Sequence, residues 1–312
     1  MRDIVVGVDA SPVSEQAVDR ALLEAGVGGR RLVLVNAWTA PVWVGAAAGA
    51  GYYALPSSED ARAASELLLE EAIAKALARN SSTAQPVVRA VAGEGPPGAV
   101  LVRESEEAAL IVVGGKGHGA ASSPLLGSAT SYVVHHARCP VMVVPAPSAP
   151  PATYQKVIAG VDGSPSSRSA LRWAHAAARR HGCPLVVLFA WQLRTMPSRP
   201  PMATVPSLAE FGAEALASLE AVVAETIRDE KGVDVTVDVA HRTASHGLLA
   251  AAGPDDLLVL GSRGRGGFTE LLLGSVAAQC VRHARGVVVV VKADQERLEE
   301  STDDPHANTR AL

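Results

Sequence analysis

VGVDASP at residues 6–12 returns as AGVDGSP at residues 159–165, and VVGGKGHG at 112–119 returns as VLGSRGRG at 259–266. Gly7 and Gly160 stand 153 positions apart, as do Trp38 and Trp191. The glycine-rich pair is offset by 147, so the second copy is six residues shorter between these landmarks. LLGSAT at 125–130 answers LLGSVA at 272–277, and HHARCPVMVV answers RHARGVVVVV. A repeat this long means that one unit is written twice. Between the copies PAPSAPPATYQ, residues 145–155, carries prolines that resist both helix and central strand. The chain therefore divides into residues 1–145, a linker at 146–155, residues 156–292 and a tail at 293–312. From Lys292 onward the tail has six acidic residues against three basic ones and no apolar period, and reads as a solvated, disordered end.

Each copy alternates short β-branched runs with helical patterns. In the first, strands are expected at 4–8, 32–37, 87–91, 110–113 and 141–144, with helices at 13–25, 58–79, 97–107 and 128–136. Ser57 or Ser58, ahead of Glu59 and Asp60, caps the long helix. The second copy repeats the pattern from 157 to 291. Strands apolar at every position belong to a sheet covered on both faces, and alternation of strand with helix implies parallel strands with right-handed crossovers. The fold class is α/β, two tandem doubly wound open sheets.

Composition narrows the function. The 312 residues are 48% apolar and 19% charged with net charge -4, enough apolar material for two cores and too little basic charge for sequence-independent grip on nucleic acid. Aromatics are 4%, a poor supply of stacking platforms for single strands. Cys139, Cys183 and Cys280 are odd in number and far apart, unlike a secreted disulfide framework. Residues 32–58 carry no charge, but Asn36, Thr39, Pro41, Pro56 and three glycines interrupt them, so they read as a strand running into a loop rather than a membrane span. The expectation is a soluble, reduced, cytoplasmic protein without membrane or nucleic-acid partners.

In such sheets ligands sit beyond the carboxyl ends of the strands, where strand order reverses. Two loops of each copy meet there: the one after the first strand (Asp9, Ala10, Ser11) and the glycine-rich one after the fourth. The latter runs Gly114, two residues, Gly117, nine residues, Gly127, Ser128, and the second copy repeats this spacing at Gly261, Gly264, Gly274 and Ser275. Glycines let a phosphate approach main-chain N–H groups, and a helix start offers further N–H groups at the positive end of its dipole. Ser128 either caps that helix or donates to a phosphate oxygen. Lys116 and Arg263, at one loop position, add positive charge or point to water. The bland alternative is that the glycines only shape a loop. Asp9 and Asp162 have two compatible readings: a carboxylate for ribose hydroxyls or a metal-bound water, or a helix N-cap or turn aspartate before Ser-Pro.

The duplicated GVDxSP followed by G-x2-G-x9-G-(S/T) is similar to the universal stress protein family in its tandem, ATP-binding form, from Arg2 to Lys292. The resemblance implies five Rossmann-like strands per half, in the order 3-2-1-4-5, and ATP as ligand, with Mg2+ held mainly through its phosphates. On that analogy Gly114, Gly117, Gly127 and Ser128 hold phosphates, as do Gly261, Gly264, Gly274 and Ser275. Gly7, Asp9, Gly160 and Asp162 lie beside adenosine, and the backbone at Ala37 and Ala190 faces adenine. Ala10, Ser11, Gly163 and Ser164, with Ala129 and Val276 at the helix starts, complete the cofactor-binding set. The first copy has Gly115, Lys116 and His118 where the second has Ser262, Arg263 and Arg265, which puts equal affinity of the two sites in question.

Other signals are weaker. Gly93, Gly95 and Gly98 spell G-x-G-x-x-G, but no acidic residue ends the next strand and HRTASHG in the second copy lacks the pattern. They are read as a strand-to-helix turn. No P-loop, H-E-x-x-H, C-x-x-C or G-x-S-x-G occurs, and no catalytic residue is assigned. His135 and His136 are expected one at an interface and one in solvent, Cys139 as a buried inert thiol, and residues 271–273 as core or dimer surface. The leading reading is a nucleotide-binding regulator without efficient catalysis. A slow ATPase or nucleotidyl transferase, and a structural interaction module with empty sites, stand beside it. The last strand of each copy is an apolar edge that invites pairing, so the halves are expected to join through these strands, with an unnamed protein partner and a homodimer as further expectations.

Overall fold

IVVG at the start of the chain and VVVVV near its end place an apolar side chain at nearly every position, so both faces of such strands must be covered. The computed structural model describes residues 2–39, 57–80, 85–115, 126–145, 153–192, 207–227, 232–265 and 273–293. The first half runs β1 (Ile4–Gly7), α1 (Pro12–Gly28), β2 (Leu32–Trp38), α2 (Ser58–Arg79), β3 (Val88–Glu94), α3 (Pro97–Glu104), β4 (Leu110–Gly114), α4 (Ser128–His136) and β5 (Val141–Val144). The second repeats it as β6 (Val157–Gly160), α5 (Pro165–His181), β7 (Leu185–Trp191), α6 (Leu208–Thr226), β8 (Val235–His241), α7 (Ala244–Ala251), β9 (Leu257–Gly261), α8 (Ser275–His283) and β10 (Val287–Val291). The helix expected at 97–107 stops at Glu104, and the strand expected at 87–91 extends to Glu94. The linker's residues 146–152, the loop from Lys116 and Gly117 to residue 125, and the tail from 294 lie outside the described residues.

The strands form one sheet of ten, in the order β3-β2-β1-β4-β5-β10-β9-β6-β7-β8. Each half keeps the expected order 3-2-1-4-5. The halves meet where expected, through the last strands. β5 and β10 pair antiparallel, Val288 opposite Val143 and Val290 opposite Val141, and the other eight pairs are parallel. All five β10 valines are buried, and the side chains alternate between the two faces. Burying one such side chain is worth about 1.5–3 kcal/mol, so this strand makes a poor edge and a good centre. The actual edges, β3 (VRAVAGE) and β8 (VTVDVAH), carry charge and bury much less.

Both faces are covered. Residues of α1, α2, α5 and α6 pack on one, including Ala21, Leu69, Leu171 and Leu219. Those of α3, α4, α7 and α8 pack on the other, including Leu101, Val133, Leu248 and Cys280. Ser57 caps α2 in a reciprocal capping box with Asp60. Cys139 is buried, which pushes its thiol up to about 11. His135 is half-buried, its Nδ1 2.6 Å from Ser131 O, while His136 is exposed and stacks on Tyr132 at 4.2 Å. The glycines of the apparent dinucleotide motif serve packing: a Cβ at Gly93 would lie 2.4 Å from Val100, and one at Gly98 2.7 Å from Tyr132.

The seam between halves has a polar centre. Glu24 of α1 is buried, accepts from the Tyr154 hydroxyl at 3.0 Å, and places its two carboxylate oxygens 3.1 and 3.2 Å from His181 Nε2 of α5. Arg20, one turn earlier on α1, sets its guanidinium 4.5 Å from the centre of the Tyr154 ring. Tyr154 belongs to the end of the proline-rich segment, so that segment finishes inside the seam. Burial pushes the Glu24 carboxyl up, but His181, Tyr154 and Arg180 outweigh it and hold it below the ordinary carboxylate value. On the opposite face Lys292 donates to His135 O at 2.8 Å, a cation at the end of α4 that ties the second half to the first.

Candidate functional site

β6 and β9 are neighbours, paired from Val157–Leu257 to Gly160–Leu260, yet their chains leave toward opposite faces, β6 into α5 and β9 into α8. That is the reversal of strand order at which a crevice opens. A cavity of about 740 Å³ lies there. One side is apolar: Leu188, Phe189 and Ala190 of β7, Leu260 of β9, and Ala244 and Leu248 of α7. The other is polar or bare backbone: Asp162, Ser167, Ser262, Arg263, Gly264, Arg265, Gly274, Ser275 and Val276. Its size falls within the roughly 300–1,000 Å³ of small-molecule sites.

The polar side is built from two loops that brace each other. Asp162 Oδ1 accepts from the Ser164 amide at 3.0 Å and Oδ2 from the Arg265 amide at 3.0 Å. Ser166 donates to Arg263 O and accepts from the Arg263 amide at 3.4 Å. Gly264 fits because it has no side chain; a Cβ there would lie 2.7 Å from Asp162 Oδ2. Gly274 donates to Ser262 O at 2.7 Å and opens α8 with no side-chain cap. The first helical bond comes from Ala278 to Gly274 O, so the amides of Ser275, Val276 and Ala277 precede it, and all three residues line the cavity. Arg263 and Arg265 are the cations of this wall, and Asp162 its one carboxylate among the described lining residues. Burial pushes the Asp162 carboxyl up, but hydrogen bonds from Ser164, Arg265 and Ser167 prevail and hold it below the usual value.

Of the positions expected from sequence in this half, Gly160, Asp162, Ala190, Gly261, Arg263, Gly264, Gly274, Ser275 and Val276 line the cavity, whereas Gly163 and Ser164 do not. Gly163 makes the turn at φ 83°, and Ser164 caps α5 by accepting from the Ser167 amide at 3.3 Å. The N-cap half of the reading of Asp162 and Asp9 is therefore corrected, since the serines two residues on are the caps, while the turn half holds: each carboxylate accepts from the amide two residues on. The cap alternative for Ser128 is corrected too, since Ser128, like Ser275, is the first helical residue, behind Gly127 and Gly274 respectively. The apolar wall of Phe189, Ala244 and Leu248 was not among the expected residues; only the apolar ends of β7 and α7 hinted at it. Ser166, one of four serines in GSPSSRS, had no distinguishing signal.

The first half keeps the frame. Asp9 Oδ1 accepts from the Ser11 amide at 3.0 Å, and Ser11 caps α1 by accepting from the Ser14 amide at 3.1 Å. Ala10 takes the turn that Gly163 takes, at φ 60°. It borders a separate cleft of about 40 Å³ between α1 and α2 with Ser14, Lys75 and Arg79. Gly7 and Gly114 end β1 and β4, and Ala37 lies near the end of β2. Gly127 donates to Gly115 O at 3.0 Å and opens α4, followed by Ser128 and Ala129. Thr130, where the second half has Ala277, donates to Gly114 O at 2.5 Å.

The model of the universal stress protein family matches residues 1–145 and 153–292. A universal stress protein of Mycolicibacterium smegmatis is 33% identical over 298 residues, covering 93% of this chain and 96% of that protein. One from Mycobacterium tuberculosis is 32% identical over 316 residues, covering 94% and 96%. Among solved structures, a universal stress protein of Archaeoglobus fulgidus superposes with TM-score 0.65 at 18% identity, over 95% of this chain and 97% of that one, a likeness of fold. Two matched units, relatives aligned over nearly their whole length and the likeness of fold agree: this chain is a tandem member of the universal stress protein family.

Proposed function

We propose that the chain binds ATP in the crevice of its second half and works as a cytoplasmic stress-response regulator rather than as an efficient enzyme. The cavity at the β6–β9 reversal carries this reading, because its two sides divide as the ligand does. The apolar wall of Leu188, Phe189, Ala190 and Leu248 suits a purine, and the bare amides of the glycine loop and α8 start, flanked by Arg263 and Arg265, suit phosphates. The glycine loop is a cradle that a Cβ would fill, at Gly264 against Asp162 and at Gly261 against Ser166 and Ser167. With Asp162 as the one acidic group among the described lining residues, Mg2+ would be carried mainly on phosphate oxygens. Asp162 is also a weak candidate for a general base: both its oxygens already accept N–H bonds and its carboxyl is held low. Bound nucleotide would stabilise the folded chain and change a surface read by a protein partner. Since β5 and β10 pair within one chain, a homodimer would have to use another surface.

Isothermal calorimetry of the full chain with ATP, with and without Mg2+, tests this; binding is expected, with GTP and cAMP weaker. Heat changes indistinguishable from buffer under both conditions would refute it. Native mass spectrometry of freshly purified protein gives an independent check through any nucleotide that co-purifies.

A further inference from the structure

Beneath the glycine loop of the second half lies a buried hydroxyl that the first half lacks. Ser166, the second residue of α5, is 5% exposed and does not line the cavity, so whatever it does for a ligand it does through the glycine loop. Its Oγ donates to the carbonyl of Arg263 and accepts from the amide of the same residue, so one side chain holds both polar backbone groups of one loop residue. Ser164 adds a second donor to that carbonyl at 3.3 Å. Two residues on, the Arg265 amide is held by Asp162. Gly264 is thus pinned on both sides. Gly261 makes the clasp possible, since a Cβ there would lie 2.7 Å from Ser166 and from the Ser167 amide. In the first half Asp9 and Ser11 keep their places, but the position of Ser166 is occupied by Val13, which can neither donate nor accept.

We infer that Ser166 is a positioning residue that sets the phosphate cradle before the ligand arrives, and that its absence at Val13 makes the second half the tight nucleotide site and the first the weak one. The inference rests on the ATP reading above. Backbone amides grip an anion well when they are already in place; a loop residue that must be ordered on binding costs about tenfold in affinity.

The test is calorimetry on the full chain with Mg-ATP and, in parallel, adenosine, which has no phosphate. The unaltered chain is expected to take up one tight equivalent of ATP. Ser166→Ala should weaken that equivalent about tenfold while leaving adenosine unchanged, and Ser166→Thr, which restores the hydroxyl, should recover most of it. A merely structural loss would weaken both ligands together. Val13→Ser should strengthen a second, weaker equivalent several-fold, which keeps the idea testable should Ser166→Ala fold poorly. Two equal equivalents in the unaltered chain, or a tight equivalent that Ser166→Ala leaves intact or weakens equally for adenosine, overturns the inference alone. No ATP uptake by the unaltered chain overturns the nucleotide reading and this inference with it.

Discussion

The crevices and the seam have diverged in opposite senses since the unit was doubled. At the crevices the framework survives in pairs: Asp9 with Asp162, Ser11 with Ser164, Gly127 with Gly274. At the polar centre of the seam nothing is paired. Glu24 corresponds to Ala177, Arg20 to Trp173 and His181 to Gly28, so the polar centre exists once. A joint between two copies of one sheet lies on a pseudo-twofold axis, where symmetric residues would bring like charges face to face. Placing the acid on α1 with His181 and Arg180 on α5 avoids that repulsion. The same asymmetry selects one way of docking the halves.

Breaking the seam should have the largest effect. Glu24→Ala leaves the buried His181 ring and Tyr154 hydroxyl without the carboxylate that partners both, and loss of one member of such a buried pair costs about 3–5 kcal/mol. Urea unfolding would show it as a lowered midpoint, while the matched exposed pair change Arg62→Ala should cost less than about 1 kcal/mol. The sign with pH follows from the depressed Glu24 carboxyl. Its contribution is complete above the unfolded carboxylate value near 4.5 and disappears as pH falls through the lower folded value. Unfolding free energy should therefore fall on acidification, and the Glu24→Ala chain should show a shallower acid slope. Equal slopes for both chains would remove Glu24 from the account.

Next in size is the cradle. Gly264→Val would drive a side chain into Asp162 and displace the Arg265 amide, a strain of about 1–3 kcal/mol, or roughly ten- to a hundredfold in ATP affinity. Circular dichroism should stay unchanged, because Gly264 lies in the loop after β9 rather than in the core. Gly93→Ala in the first half makes the useful contrast. It also crowds a neighbour, Val100, but sits in the decoy motif and should cost stability with no loss of nucleotide. If Gly264→Val bound ATP normally, the phosphates would have to sit elsewhere.

Much of this was legible in the sequence because it is local. Ten strands, the bounds of the helix at 128–136 and a serine cap at 57 or 58 follow from runs of side chains and caps within a few residues. The union through β5 and β10 also followed, because an all-valine strand left as an edge is unfavourable. Legibility failed where a residue's role depends on something distant along the chain. Asp162 reads as a ligand carboxylate or as a cap or turn aspartate before Ser-Pro; only the arrival of Arg265, 103 positions later, makes it a brace. Tyr154 reads as linker and becomes the lid over Glu24, 130 positions earlier. Leu248 carries no reading from sequence and is both core and wall, since which side of α7 meets the crevice depends on how closely Gly247 lets the helix approach Ala190.

The smallest effect isolates backbone alone. Ala10 and Gly163 make the same turn in the two halves, at φ 60° and 83°, a region that an L side chain occupies at a cost and glycine does not. Ala10→Gly should therefore stabilise the chain and Gly163→Ala destabilise it, each by about 1 kcal/mol, less the few tenths that glycine returns through a freer unfolded chain. Neither position lines the larger cavity, and Gly163 has nothing closer than 4.0 Å to an added Cβ, so contacts do not confuse the measurement. Opposite shifts in unfolding midpoint would mean that the first half bears strain at its Asp-Ser loop that the second has shed. If both substitutions moved the midpoint in the same direction, contacts around the turn rather than its backbone would govern the difference between halves.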